Sequence, residues 1–259
     1  MRLPALVVVA LMLSACPEPD PSEAPRLAGN ALFKKGEYEK AGQEYEKAIA
    51  LDKKPELKSY ETAAFAYMKA GNLGKAKELL EKTLQFKTDT AGKLEVYRNI
   101  TGMFLSAHRG MEVESVFFEI LKLEPKDPAA MGWLADFACE RGGARSNTKP
   151  PVPAELDKAL EWYAKVLEVT PDDVGVWVNR RIIYTRYIDY WQGQKAAAEA
   201  DAETNKKDKL VAADFKKQAE DAQAKVAEFQ AKLAEANAKI GELNKAKKAG
   251  GAAADAGAK

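Results

Sequence analysis

The sequence is poor in the residues from which reactive and metal-binding sites are made. Its 259 residues include one histidine, His108, and two cysteines, Cys16 and Cys139. This is too few for a zinc site of the usual Cys and His spacing or for a framework of disulfide bonds, so we expect no metal site. A surplus of charge is absent too, since 40 basic and 39 acidic residues leave a formal net charge of +1. Because phosphate binding normally relies on a basic surplus, we expect no nucleic-acid partner.

The sequence also lacks a recognisable catalytic arrangement. No glycine-rich phosphate-binding loop of the Walker or dinucleotide type occurs, so we expect no cofactor. His108 would need a nucleophile and an orienting acid from elsewhere, because Ser106 is too close in the chain to count as evidence for one. We expect His108 to lie exposed in a turn and Cys139 to be a small buried apolar residue. The protein is therefore predicted not to be an enzyme.

What the sequence does contain is typical of helices. Hydrophobic residues make up 46% and charged residues 31% of a chain that is dominated by Ala, Leu, Lys and Glu. Glycine and proline are concentrated at the two ends and in one internal loop. The chain is long enough to bury the core of one or two domains, and its composition predicts an all-α fold.

The first sixteen residues have the order of a bacterial export signal. Met1-Arg2 gives a positive start, residues 3–13 form an apolar run too short for a bilayer, which needs about 20 residues, and Leu13-Ser14-Ala15-Cys16 follows. This segment resembles the lipobox of bacterial lipoproteins. The resemblance implies that residues 1–15 are a signal peptide and that Cys16 carries fatty acyl chains such as palmitate. The alternative is an ordinary secretory signal with a cysteine near its cleavage region.

Residues 16–25 are predicted to tether the protein to a membrane. Two or more fatty chains anchor a protein firmly, whereas a single chain holds it only marginally. Pro17, Pro19 and Pro21 disfavour a helix and favour an extended tether. Pro17 also stands where an aspartate is associated with inner-membrane retention in enteric-type bacteria. We therefore expect a lipoprotein of the outer membrane that faces the periplasm.

Residues 26–191 contain a repeat. Small or apolar residues recur at spacings of 35, 37 and 46 residues, at Ala41, Ala76, Val113 and Ala159. A second set of larger residues keeps the same spacings, at Tyr45, Leu80, Phe117 and Tyr163. With Gly36-Glu37-Tyr38 at the first turn, this pattern resembles the tetratricopeptide repeat, whose period is about 34 residues, and an insertion at residues 142–153 explains the long last spacing. The resemblance implies a right-handed solenoid of four to five helix pairs, each made of a helix A and a helix B.

In this family, helix A of each pair lines a groove that binds a segment of a partner protein. The side chains that we expect there combine aromatic and methionine groups with Arg and Asn, a mixture suited to holding a peptide. They are Arg26, Asn30, Phe33, Lys34, Thr62, Phe65, Met68, Arg98, Asn99, Leu105, Trp133 and Asp136. For each aromatic residue, simple packing between helices is the alternative.

One finer resemblance is rejected on the sequence. Arg26 and Asn30, one helical turn apart, resemble the first half of the carboxylate clamp of chaperone-binding tetratricopeptide domains. The later members do not follow, because Thr62 replaces an asparagine, and Glu95 and Asn99 replace a lysine and an arginine. A glutamate at that position would repel a terminal carboxylate, so we expect no clamp.

After the repeat, the composition changes to Ala, Lys and Glu. Residues 192–248 are predicted to form one long helix, and residues 249–259 a disordered tail. Apolar or small residues recur at spacings of four and three, which is a heptad seam typical of coiled coils. They are Phe215, Ala219, Ala222, Val226, Phe229, Leu233, Ala236, Ile240 and Leu243. The helix can fold back on the solenoid or cap it, pair with a second copy over residues 210–245, or dock onto another protein.

The predicted function combines the anchor and the fold. We expect a membrane-anchored scaffold or assembly factor of the bacterial cell envelope, which binds a segment of another, unidentified envelope protein in its groove. The alternative is a structural envelope lipoprotein that associates with itself through the C-terminal helix.

Overall fold

The computed structural model describes residues 20–146 and 148–257, with side chains described up to residue 249. The predicted signal peptide, Cys16 and the start of the tether lie outside these residues. The described residues form helices and no strand, so the predicted all-α fold is confirmed. The α-helices are α1 (Glu23–Lys34), α2 (Tyr38–Leu51), α3 (Leu57–Lys69), α4 (Leu73–Lys82), α5 (Thr90–Ser106), α6 (Glu114–Leu123), α7 (Pro128–Arg141), α8 (Pro153–Val169), α9 (Val174–Thr204) and α10 (Lys209–Gly257). Within the described residues, no helix combines the length and the apolar character needed to cross a membrane.

The turn from helix A to helix B has the same backbone conformation in four successive pairs. Gly36, Gly71 and Gly143 have φ angles of 79°, 80° and 67° just past the ends of α1, α3 and α7. His108 has a φ of 57° just past the end of α5. Positive φ is the left-handed region, in which glycine meets no steric penalty because it lacks a Cβ. Of these four turn residues, His108 is therefore the one whose Cβ strains the backbone of the turn.

The chain divides into two compact units, Met1–Val96 and Tyr97–Lys259, and α5 spans the division. In the first unit, α1 packs on α2, α2 on α3 and α3 on α4. Ala41 and Ala76 are completely buried in the two B helices of this unit. Gly29 of α1 is as tightly packed, because a Cβ there would lie 2.7 Å from the ring of Tyr45. Small residues in both kinds of helix thus allow the close packing that the repeat predicts.

In the second unit, α6 to α10 pack on one another in chain order. Large side chains fill its core, among them Leu134, Leu156, Tyr163 and Ile183. Val113 and Ala159, the later members of the series of small or apolar residues, are completely buried. The insertion at residues 142–153 is closed at its base by a hydrogen bond of 3.1 Å from the N–H of Val152 to the carbonyl of Gly142.

The C-terminal region corrects the prediction of a single helix over residues 192–248. α9 runs past the predicted end of the solenoid at residue 191 to Thr204, and α10 begins at Lys209. Asp208 explains the new start, because its Oδ1 accepts the N–H groups of Leu210 and Val211 at 3.1 and 3.2 Å and so caps α10. The α10 helix packs along α9 and is helical to Gly257. This is the folded-back arrangement, one of the three alternatives.

The heptad seam of α10 packs against α9 of the same chain. Its residues Ala219, Ala222, Val226, Phe229 and Ala236 are buried. The ring of Phe229 stacks on Tyr187 of α9, with 4.3 Å between the centroids. A coiled coil with a second copy of the chain would need these same side chains.

Candidate functional site

The first unit brings the predicted residues of α1 and α3 onto one surface, here called the α1/α3 face. We define it as Arg26, Asn30, Phe33 and Lys34 of α1 with Lys58, Thr62, Phe65, Met68 and Lys69 of α3. Residues three, four and seven positions apart share one side of a helix, so each set forms a stripe. Phe33 joins the two stripes, because its ring stacks on that of Phe65 with 5.7 Å between the centroids.

The aromatic part of this face is open to solvent. Phe65 is 45% exposed and Met68 is 37% exposed, whereas Tyr60 and Tyr67 of the same helix are buried. The ammonium group of Lys69 lies 5.4 Å from the centroid of the Phe65 ring, which is within cation–π range. The α3 helix therefore fills the core with some of its aromatic side chains and presents another outward, where a partner can reach it.

A cleft of about 240 Å³ lies beside the first turns of α1 and α3. Its lining residues are Ser22, Arg26, Asn30, Tyr45, Ala48, Ile49, Asp52, Glu56, Lys58, Ser59 and Thr62. Tyr45 donates its hydroxyl to Asn30 Oδ1 at 2.8 Å, which leaves the amide NH₂ of Asn30 as a donor for a ligand. Thr62 donates its hydroxyl to the carbonyl of Lys58 at 2.7 Å, so only its oxygen lone pairs are available.

In the second unit, Arg98 is held by residues of its own chain. Its Nη2 donates to Glu124 Oε2 at 2.7 Å and to Asp127 Oδ2 at 2.9 Å. Asp127 is buried and also caps α7, because its Oδ1 accepts the N–H of Ala130 at 2.8 Å. The hydrogen bond that Arg98 donates to the Asp127 carboxylate raises the pKa of Arg98. Arg98 thus fixes the turn between α6 and α7, a role that sequence reasoning missed.

Asp136 also forms hydrogen bonds to residues of the second unit. Its Oδ1 accepts hydrogen bonds from Tyr163 Oη at 2.6 Å, Arg145 Nη2 at 3.2 Å and Asn179 Nδ2 at 3.3 Å. Arg145 Nη2 also donates to Asn179 Oδ1 at 2.8 Å, so this arginine ties the insertion to both α7 and α9. Sequence reasoning missed Arg145 and Asn179, which carry no local signal of this contact.

The Cys139 thiol adjoins this network. Cys139 is buried, as expected, and its Sγ lies 3.6 Å from Tyr163 Oη. Burial raises the pKa of the thiol to about 11, and burial also raises the pKa of the Tyr163 hydroxyl above its usual range. Both groups are therefore neutral near pH 7, so neither is an activated nucleophile there.

The remaining predicted residues are more accessible. Trp133 is partly exposed, and its ring centroid lies 6.0 Å from that of Phe137 and 6.5 Å from that of Phe117. Asn99 is exposed and Leu105 is half-buried. Trp133 therefore combines packing against its neighbours with a surface that a ligand can reach.

His108 is exposed in its turn, as expected. The nearby Ser106 donates its hydroxyl to the carbonyl of Gly102 at 2.7 Å, so it is bonded to the α5 backbone and not to a catalytic base. Across the described ranges 20–146 and 148–257, no group of three or more His, Cys, Asp or Glu residues is arranged to hold a metal ion.

Comparison with known proteins identifies the first helix pair. Residues 27–55 match the family model described as Tetratricopeptide repeat. The chain is also similar to the Protein O-mannosyl-transferase TMTC1 of Homo sapiens, with 28% identity over 152 residues, or 58% of this chain. The match spans only 16% of the length of that relative.

Two solved structures of tetratricopeptide proteins resemble the chain. A TPR repeats protein from Bacteroides fragilis NCTC 9343 is 13% identical, with 87% of this chain and 99% of that chain covered and a TM-score of 0.47. YrrB, described as a TPR protein with an unusual peptide-binding site, is 18% identical, with 79% of this chain and 88% of that chain covered and a TM-score of 0.35.

The residues that match this family model, 27–55, include most of the α1 stripe and all of α2. The later pairs share its positive-φ turn residue and its buried small or apolar residue in helix B or, for Val113, directly before it. In the first unit, the first pair packs on the second through α2 and α3. A fold of stacked helix pairs supports a scaffold for protein–protein interaction.

Proposed function

We propose that this chain is a lipid-anchored scaffold of the bacterial cell envelope and that it holds a segment of another envelope protein. One observation carries the binding role, namely the exposed ring of Phe65, which stacks on the half-buried Phe33 on the α1/α3 face. A membrane-bound protein with such a face presents it to proteins of the same compartment.

The physical reason for choosing this face is the exposure of its aromatic side chains. Aromatic residues bury large areas and dominate the energetics of interfaces, where a few central side chains carry most of the binding energy. Phe65 and Met68 are held on a rigid helix, so binding immobilises little beyond the side chains themselves. Trp133 offers a comparable side chain in the second unit.

The order of charge, apolar run, small residues and Cys16 supports the anchor. Lipid on Cys16 would hold the protein at the surface of a membrane, and residues after it would serve as the tether. Pro17, in place of an aspartate, favours the outer membrane, with the protein facing the periplasm.

The packing of α10 favours this scaffold over the self-associating alternative. A coiled coil through residues 210–245 would compete with α9 for the buried seam, including the stacked pair Tyr187 and Phe229. In the proposed scaffold, the α10 helix instead packs on the apolar side of α9, the helix that follows the last helix pair.

Crosslinking in intact cells tests the proposal. A photoreactive phenylalanine analogue at Phe65 should capture a specific envelope protein upon illumination. The matched control is the same analogue at Phe118, an aromatic residue of helix B that is 42% exposed. Capture of the same protein from both positions, or of none from Phe65, would contradict binding at the α1/α3 face.

A further inference from the structure

We infer the chemistry of the bound segment from the order of groups along the α1/α3 face. The face and its cleft fit an extended segment with a basic, an acidic and an apolar side chain at every second position. This inference rests on the proposed function, because it specifies the partner of the same surface.

The first step is the set of unpaired charges in the cleft. Arg26, Lys58, Asp52 and Glu56 all line it, and within the described residues none of these four side chains forms an ion pair. Asp20 lies near enough to Arg26 for their charges to interact, and Asp52 Oδ1 accepts the backbone N–H of Lys54 at 2.9 Å. The B helices of the same unit differ, because Lys40, Lys47, Lys75 and Lys77 each pair with a glutamate. A cleft with two unpaired bases and two unpaired acids is complementary to a ligand that carries both signs of charge.

The second step is the order of these groups. Asp52 follows the end of α2 and Glu56 precedes α3, so the two acids lie at the end of the cleft where α3 begins. Lys58 and Thr62 follow along α3, opposite Arg26 and Asn30 of α1 in the same cleft. The exposed Phe65 comes next along α3. A bound segment therefore meets acids first, then bases and amide donors, and then the aromatic pair.

The third step is the spacing. A helix rises about 1.5 Å per residue. The midpoint between Lys58 and Thr62 therefore lies roughly 6 Å along the α3 axis from Glu56, and roughly 7.5 Å along it from Phe65. An extended chain rises about 3.3 Å per residue and turns alternate side chains to the same side, so positions two apart are about 6.6 Å apart. The pattern that matches is Lys or Arg, any residue, Asp or Glu, any residue, and an aromatic or long aliphatic residue. It applies in either chain direction.

This recognition differs from capture of a terminal carboxylate. Glu95 occupies the position at which a carboxylate clamp has a lysine to bind a terminal carboxylate. Glu95 instead forms an ion pair with Lys87 at 3.1 Å. The acid that meets Arg26 and the Asn30 amide is therefore a side chain within the segment, flanked by residues on both sides.

Fluorescence anisotropy with the full-length protein in detergent tests the inference. The probes are labelled peptides with blocked ends that contain Lys-Ala-Asp-Ala-Phe in either direction, the charge-exchanged Asp-Ala-Lys-Ala-Phe, and Lys-Ala-Asp-Ala-Ala. We expect the first pattern to bind about three- to tenfold more tightly than its charge-exchanged form at low salt, a preference that fades near 0.5 M salt because exposed charges are screened. Replacing its phenylalanine should weaken binding by about tenfold or more.

Charge reversal in the protein provides the stricter test. The double variant Arg26→Glu, Glu56→Arg should invert the preference, so that the charge-exchanged peptide binds better. Lys82→Glu and Glu61→Gln are matched controls, because both residues are exposed, form no ion pair with any described side chain and do not line the cleft. Both controls should keep the original preference.

Equal binding of both charge orders, or an unchanged preference in the double variant, would overturn the inference and leave the proposed function standing. Absence of binding by every peptide would overturn it as well. The proposed function is judged separately by capture from Phe65 in cells.

Discussion

Tyr163 donates its hydroxyl to Asp136 Oδ1 at 2.6 Å, and Tyr45 makes the matching bond to Asn30 Oδ1 at 2.8 Å. The partners are 27 and 15 residues apart, and the insertion at residues 142–153 accounts for the difference. In both units, therefore, a tyrosine of helix B binds a polar side chain of helix A. This bond fixes how the two helices of a pair lie against each other.

Asp136→Ala should destabilise the protein by about 1–3 kcal/mol, because the buried Tyr163 hydroxyl loses its carboxylate acceptor. Asp136→Asn keeps an oxygen at this position and should cost less. The free energy of unfolding from urea titration at pH 7 measures both. Asn99→Ala, at an exposed polar residue of α5, is the control and should change stability by less than about 0.5 kcal/mol. An equal effect of Asp136→Ala and Asn99→Ala would contradict a structural role for Asp136.

Phe229→Ala should cost about 3 kcal/mol, because it removes a buried ring from its stack on Tyr187 and leaves a cavity between α9 and α10. Leu210→Ala is the control, since Leu210 is 82% exposed at the start of α10. Denaturant unfolding followed by circular dichroism measures the difference. A loss below about 1 kcal/mol for Phe229→Ala would show that α10 does not depend on α9 for its position.

His108→Gly should stabilise the protein by about 0.5–1 kcal/mol, because a residue without a Cβ relieves the left-handed turn. Gly36→Ala in the equivalent turn should destabilise it by about 1 kcal/mol for the same reason. Thermal unfolding measures both variants. If His108→Gly lowers the stability instead, the histidine side chain makes a contribution that outweighs the strain.

The repeat could be predicted because its signals are local. Gly36 and Gly71 mark turns, and Ala41 and Ala76 mark close packing, at positions that a single sequence displays. The break between α9 and α10 was missed because the Ala, Lys and Glu pattern favours helix throughout. The local signal for this break is Asp208, which can cap α10 only if the chain turns between α9 and α10.

The candidate site was predictable only where one helix presents a stripe. Phe33 and Phe65 meet as the repeat implies, since both lie on A helices of neighbouring pairs. Arg98 and Asp136 were also assigned to the groove, yet their partners lie 26 and 27 residues away in the chain, at Glu124 and Tyr163. Single-sequence patterns do not report such distant polar pairs, so these two side chains could not be separated from the others.

The Cys139 thiol should make stability depend on pH at the alkaline end. Burial raises its pKa to about 11 from the usual 9.0, so the folded state favours the neutral thiol. The resulting stabilisation is present below about pH 9 and is lost as pH rises through 11, by about 2–3 kcal/mol. The wild type should therefore lose more stability between pH 9 and 11 than Cys139→Ala does. Parallel curves for the two proteins would mean that the thiol ionises as easily in the folded state as in the unfolded one.

Cys16→Ser should release the protein from the membrane, because serine cannot carry the diacylglyceryl thioether that the anchor needs. Cells that express the variant should keep it in the soluble fraction after lysis, whereas the wild type sediments with membranes and incorporates labelled palmitate. Cys139→Ser is the matched control, since it removes the other cysteine and should leave the palmitate label and the membrane fraction unchanged. A Cys16→Ser protein that still sediments with membranes and still incorporates palmitate would exclude the anchor, and the envelope partner would then have to be sought without it.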